Sequence, residues 1–208
     1  MKELLDFSQD HQVIENVLLG IQPPSVSEIN LYDALISASE RMRGVAGRKA
    51  IILLSSGVDT FSKAKSDDTV KAIRNSDTPI YVISMLPTLR DLMQSRGPAE
   101  GMKAIDSRQA EKQLMDFAQA SGGRFYAPDN TFDLSGTYDD IMENLKVRYV
   151  LTYKPSIHAD PNSPRTVRVE LVNPNTGGPL EIVDANGRTV SAKVIAQQTY
   201  TPSSTPRA

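Results

Sequence analysis

The chain has 208 residues, of which 39% are hydrophobic and 23% charged, and a formal net charge of -2. That length suits one good-sized domain, or a domain with a small appendage. Its basic residues are scattered, which gives no electrostatic footprint for nucleic acid or an anionic membrane, and no apolar run approaches the roughly 18 residues of a membrane span. The opening stretch MKELLDFSQD is acidic and too poor in apolar residues for a secretory signal peptide, and nothing in the composition assigns a compartment. Cysteine is absent and histidine occurs only as His11 and His158. Thiol nucleophiles are thereby excluded, and a histidine triad or zinc site has little to draw on.

In chain order, Ser8 is the expected cap of a short helix ending at Leu19, with Ile14, Val17, Leu18 and Ile21 as its apolar stripe. Gly20 and Pro23-Pro24 end it. A second helix starts with Asn30 as N-cap and Asp33 in its first turn, places Leu31, Ala34, Leu35, Ala38 and Met42 on one face, and stops at Gly44. Ala50-Ile51-Ile52-Leu53-Leu54 shows no polar alternation, the pattern of a parallel strand covered on both faces. It runs into the polar turn Ser55-Ser56-Gly57-Val58-Asp59-Thr60. Ser66 is the expected cap of the next helix, which begins with Asp67 and Asp68 and turns Val70 and Ile73 inward. The strand Pro79–Met85 follows. Strand and helix alternate here, as in βαβ units with right-handed crossovers.

Residues 87–108 read as an irregular insertion, with Met85, Met93 and Met102 in or near it as gap-filling hydrophobes. Ala110, Leu114, Phe117 and Ala118 then mark a helix stopped by Gly122-Gly123, ahead of a short strand at Arg124–Ala127. Tyr138, Ile141, Met142 and Leu145 mark a further helix, with Asp139-Asp140 in its first turn, leading directly into Tyr149-Val150-Leu151-Thr152-Tyr153. Beyond a proline-containing linker over residues 157–164 the pattern changes to alternating β segments, Thr166–Val172, Leu180–Val183 and Thr189–Ala196. Asn175–Gly178 and Ala185-Asn186-Gly187 are the turns, and Asn-Gly is a strong hairpin signal. The organisation expected is an α/β unit over 1–156, the linker, a β-rich extension over 165–201 and a disordered tail over 202–208.

Chemistry fails at each place it could reside. "LLSSGVD" is not G-x-S-x-G, because no glycine precedes the serine by two positions, and no base is near in sequence. Ser55 and Ser56 are better read as satisfying backbone groups in a turn. No phosphate-binding glycine pattern follows a strand. His158 lacks other ligand types at suitable spacing. An enzyme is not expected.

The stretches "NLYDALISASERMRG…GRKAIILLSSGVDTFSK", "PIYVISM", "LMDFAQASGGRFYAPD" and "IMENLKVRYVLTYKPS" occur in an order that resembles the von Willebrand factor A (VWA) family, in particular its bacterial VWFA-related branch common in Acidobacteria. The closing "KVIAQQTYTP" is similar to that branch's ending, with Thr199 where glycine is usual. The likeness covers about residues 6 to 202. It implies a Rossmann-like sheet with helices on both faces, a small C-terminal β extension, and a metal-ion-dependent adhesion site at the carboxyl edge of the sheet. In that site Mg²⁺ is held by hydroxyl and carboxylate oxygens, and a protein partner completes the shell.

Three departures follow from the same comparison. The D-x-S-x-S motif of the family's first strand is absent. Ile29 stands where a threonine is expected, with Asn30 or Ser27 as the neighbouring oxygen donors. Ser56 replaces the loop aspartate and leaves Asp59 as the nearest carboxylate. A neutral hydroxyl offsets none of a divalent cation's desolvation, so Ser56 and Asp59 are residual metal candidates only, and Mg²⁺ is expected only if the missing motif is supplied.

The resemblance therefore implies an adhesion-type interaction domain, with no cofactor of its own and with Asn30, Ser55, Ser56, Asp59 and Thr60 facing a protein ligand. It also implies that the family's first strands are missing, which would leave a flat apolar sheet edge open. A gene fragment is the leading expectation. The alternatives are a partner or second copy pairing with that edge in a homo-oligomer, and a rearrangement that uses the C-terminal strands. Full-length relatives of this kind are often exported.

Overall fold

The computed structural model describes residues 3–21, 29–88, 91, 106–128, 133–147, 149, 151, 163–184, 186–191 and 194–200. Within them a three-stranded parallel sheet in the order β1-β2-β3 carries the core, and the protein is of mixed α/β class. β1 (Ile51–Ser55) pairs along its whole length with β2 (Ile80–Ser84), Ile51 opposite Ile80 and Ser55 opposite Ser84. β3 (Phe125–Tyr126) pairs with the middle of β2, Val82 opposite Phe125.

The helices are α1 (His11–Leu19), α2 (Leu31–Arg43), α3 (Ser66–Arg74), α4 (Ser107–Ser121) and α5 (Asp133–Lys146), with one further short helical stretch at residues 86–88. From β1 to β2 to β3 the chain steps across the sheet in one direction. Right-handed crossovers then put α3 and α4 on the same face. α2 joins them there. Leu31 and Leu35 of α2, Ile73 of α3, and Leu114, Phe117 and Ala118 of α4 close over Ile80 and Val82 of β2. On the opposite face Ile141 of α5 packs on Tyr81 and Ile83, flanked by Tyr126, Leu134 and Leu145. Burying each large side chain such as Phe117 or Leu114 contributes about 1.5–3 kcal/mol.

α4 shows how local sequence signals set this packing. The Asp106 carboxylate accepts from the Arg108 and Gln109 amides at its start. Ala110, Leu114, Phe117, Ala118 and Ser121 form its buried stripe. It ends at Gly122 in the left-handed region, with φ 73°. A Cβ on Gly123 would collide with the Ile80 carbonyl. That close approach lets the Ser121 hydroxyl accept from the Ile80 amide at 2.8 Å, so the end of α4 satisfies the first donor of β2.

Several sequence expectations are corrected. The cap of α1 is Asp10, whose carboxylate accepts from the Gln12 and Val13 amides. Ser8 instead accepts from the Asp10 amide. The stripe of that helix is not buried: Leu18 and Ile21 are exposed, and Ile14 and Val17 only partly covered. Ser66 is the first residue of α3 and Lys65 holds the cap position; Ile73 and Val70 face the core as expected, and Thr69 is buried as well. Of the insertion expected over residues 87–108, residues 87, 88, 91 and 107–108 are helical and Asp106 is the cap of α4, which begins ahead of its apolar stripe; the others lie outside the described residues. α5 begins at Asp133, so Asp139-Asp140 lies in mid-helix and Tyr138 is exposed. Asp140 accepts from the Tyr126 hydroxyl at 2.6 Å and the Arg124 guanidinium at 2.9 Å. Burial first, then this bond, raises the Tyr126 pKa.

The largest correction concerns β1. Among the described residues, helices cover it on one face only. Ile51 and Leu53 pack toward the first core cluster, whereas Ile52 and Leu54 are 43% and 57% exposed. β1 is also the terminal strand of the sheet, so its outer edge is unpaired among the described residues.

The carboxyl-terminal residues form short antiparallel pairs in place of the longer strands expected. β4 (Arg165–Thr166) pairs with β7 (Thr199–Tyr200), and β5 (Glu181–Val183) with β6 (Thr189–Ser191). The β5–β6 turn has Gly187 at φ 77°, and the Asp184 carboxylate accepts from the Asn186 and Arg188 amides. Gln197 donates to the Arg74 carbonyl at 3.0 Å, which ties this segment to the end of α3. Ser27, Met93, Met102, His158, nearly all of the 157–164 linker and the 202–208 tail lie outside the described residues.

Candidate functional site

The loop after β1 stands at the carboxyl edge of the sheet, beside the start of α2. Ser55 closes its first turn, accepting from the Gly57 amide at 3.0 Å, while its carbonyl accepts from the Met85 amide at 2.9 Å. Gly57 is buried at φ 76°, and a Cβ there would stand 2.5 Å from the Ala110 carbonyl oxygen. Only glycine lets the loop pass so close to α4. Gln113 of α4 donates to the Gly57 carbonyl at 3.4 Å and accepts from the Tyr32 hydroxyl at 2.8 Å, linking loop, α4 and α2. Tyr32 also meets Phe117 edge-on, with ring centroids 6.2 Å apart. Burial, more than the nearby Asp59 charge, raises the Tyr32 pKa.

Asp59 caps α2 from outside that helix. Its Oδ1 accepts from the Tyr32 amide at 3.2 Å and the Ser62 hydroxyl at 2.6 Å, and its Oδ2 accepts from the Ser62 amide at 3.3 Å. Asn30 occupies the N-cap position but makes no capping bond with its side chain. Ser62 Oγ in turn accepts from the Asp33 amide at 3.2 Å. Asp33 returns the arrangement, accepting from the Lys63 and Ala64 amides at 3.0 Å each. Those two backbone bonds hold the Asp33 carboxyl below its ordinary pKa. Thr60 completes the clasp: its Oγ1 accepts from the Ile29 amide at 2.9 Å, and its own amide donates to the Ile29 carbonyl at 2.9 Å.

The structure therefore brings Asn30, Asp59 and Thr60 together at the start of α2, with Ser55 and Ser56 at the end of β1. Asp59 serves two backbone amides and a hydroxyl, and Asp33, in the first turn of α2, serves two backbone amides. Ser56 is partly buried, and no hydrogen bond of its hydroxyl is found among the described residues. Among those residues, no group of three or more His, Cys, Asp or Glu side chains could hold a metal ion. The sequence placed Asp33 in the first turn of α2 without its bonds to the loop, and it did not single out Ser62, Gln113 or Tyr32. The Asp59-x-x-Ser62 spacing is a local turn signal that could have found Ser62, whereas Gln113 is remote in sequence and left no such mark.

No protein-family model matches the chain, and no curated protein matches it. No helix among the described residues is long and apolar enough to cross a membrane.

Proposed function

We propose that the chain is a non-enzymatic, adhesion-type protein-interaction domain of VWA-like character, with a degenerate metal-ion-dependent adhesion site. The observation that carries this reading is the meeting of two separate motif segments. "NLYDAL" and "SSGVDTFS" converge at the carboxyl edge of β1, where open α/β folds present ligand-binding loops. The organisation that goes with it is an α/β unit over 1–156, a linker over 157–164 and a β-rich extension over 165–201. Asn30, Ser55, Ser56, Asp59 and Thr60 form the rim that faces a protein partner. Ser56 supplies a neutral oxygen and Asp59 is engaged by three donors, so Mg²⁺ needs ligands from beyond this loop.

Isothermal titration of the chain with Mg²⁺ and with Mn²⁺ tests the degenerate site. No saturable heat is expected. Tight binding that disappears in Ser56→Ala would show instead a working metal centre. An active-serine probe is expected to leave Ser55 and Ser56 unlabelled.

A second reading has its own observation. The edge of β1, unpaired among the described residues and with Ile52 and Leu54 exposed, suits an assembly module that pairs with another chain. Sedimentation separates the two, since a concentration-independent monomer excludes assembly through that edge.

A further inference from the structure

The carboxyl ends of α3 and α4 meet the residues just ahead of β7. A Cβ on Gly122 would stand 2.8 Å from the Gln197 amide nitrogen and 3.4 Å from the Ala196 carbonyl carbon. Backbone atoms cannot swing aside as the tip of a flexible side chain can. Only a residue without a Cβ therefore lets residues 196–197 lie against the end of α4. Ala196 and Gln197 are half-buried there. The next glycine, Gly123, makes the equally close approach to Ile80 of β2, so one glycine pair receives both a core strand and the carboxyl-terminal segment.

Gln197 adds a polar anchor. Its Nε2 donates to the Arg74 carbonyl and to the Thr199 carbonyl, each at 3.0 Å. Arg74 is the last residue of α3, and the final carbonyls of a helix have no partner inside it. The amide thus satisfies an orphan acceptor of α3 while holding the start of β7. On the β4 side the contact is thinner. The Val167 amide donates to the Gln198 carbonyl at 2.8 Å, and then a cleft of about 270 Å³ opens between residues 166–169 and Val194, Ala196 and Gln198. Ahead of Gln198 the segment leaves β4 and follows the helix ends.

We propose that residues 194–200 are a strap that fastens the β-rich extension to the carboxyl ends of α3 and α4, seated on Gly122 and anchored by Gln197. The extension is then no separable appendage, and the α/β unit opens together with it. The strap sits by the amino end of β2, so the loop after β1, at the opposite end of the strands, stays clear of it. This inference does not depend on the VWA-like reading.

Hydrogen exchange of the full chain at Val82 and Phe117, both fully buried in the α/β core, tests it. Gln197→Ala removes the anchor and is expected to speed exchange at both amides about 5-fold. Gly122→Asn tests the seat, because asparagine tolerates the left-handed φ of this helix end but carries a Cβ. It is expected to speed exchange about 10-fold. Gly47→Asn is the control, at φ 85° with open space around it, and should stay within about 2-fold of the parent. Combining Gly122→Asn with Gln197→Ala should give no more than about 2-fold beyond Gly122→Asn alone, because the strap is already displaced.

Three results would overturn the proposal: unchanged exchange in Gln197→Ala, equal effects at Gly122 and Gly47, or a double variant whose effect is the product of the two single ones. If Gly122→Asn does not fold, Gln197→Ala decides alone.

Discussion

β2 and β1 carry closely similar sequences, Ile80-Tyr81-Val82-Ile83-Ser84 and Ile51-Ile52-Leu53-Leu54-Ser55, yet they live in different surroundings. All five residues of β2 are buried, whereas the burial of β1 alternates. The difference lies in the neighbours. β2 has a strand on each side, α4 beneath it and α5 above it. Among the described residues β1 has a strand on one side and helices on one face. An unbroken apolar run therefore records that a strand is able to be covered on both faces, and the rest of the chain decides whether it is.

The largest effect should come from testing that contrast directly. Ile80→Ala on β2 is expected to cost about 2–5 kcal/mol in urea unfolding, and Ile52→Ala on the outer face of β1 about 1 kcal/mol or less. Equal costs would break the comparison by showing that the β1 face is fully covered. Next in size is Gly57→Ala, at the point where β1 hands over to its loop. Forcing a side chain into the left-handed region should cost about 1–3 kcal/mol, more than Gly136→Ala, which has open space around it. The same melts measure both.

A smaller effect separates two residues at the start of α2. Asp59→Ala removes the cap that reaches α2 from the β1 loop and should cost about 0.5–2 kcal/mol. Asn30→Ala should stay within about 0.5 kcal/mol, because its side chain caps nothing. A reversed order would mean that helix and loop are not joined as described.

The smallest effect is a pH dependence. The Asp33 carboxyl is held below its ordinary pKa by two backbone donors. Its contribution is therefore fully present above the unfolded value of about 3.9 and fades as pH falls through the lower folded value. Thermal melts from about pH 6 down to 2 should show the lead of the parent over Asp33→Asn shrinking below about pH 4. A constant difference across that range would sharpen the picture by assigning the clasp to Ser62 and Asp59 alone.

Where information was local, the sequence could be read. The stripe of α4, its glycine stop and the strand Pro79–Met85 follow from periodicity and turn chemistry alone, and the structure keeps them within a few residues. Boundaries failed where two polar residues competed, as at Ser8 and Asp10, or where a helix began ahead of its apolar stripe, as at Asp133. Contacts between distant segments left no trace. Asp140 looked like an ordinary acidic helix residue, and its bonds to Arg124 and Tyr126 depend on α5 lying over β3. The loop after β1 was legible as a loop at the carboxyl end of a sheet strand, and Asp59 as one of its residues. That Asp59 caps α2 depends on a bond to Tyr32, 27 positions away in sequence.

The clasp between the β1 loop and α2 has a consequence for recognition. Asp33, Asp59, Thr60 and Ser62 already spend their bonding capacity on one another and on nearby amides. The loop is thus held in one shape by bonds within the chain, and under the interaction role proposed above little conformational freedom would be left to lose on contact. Such a surface would select by fit rather than by folding around its target.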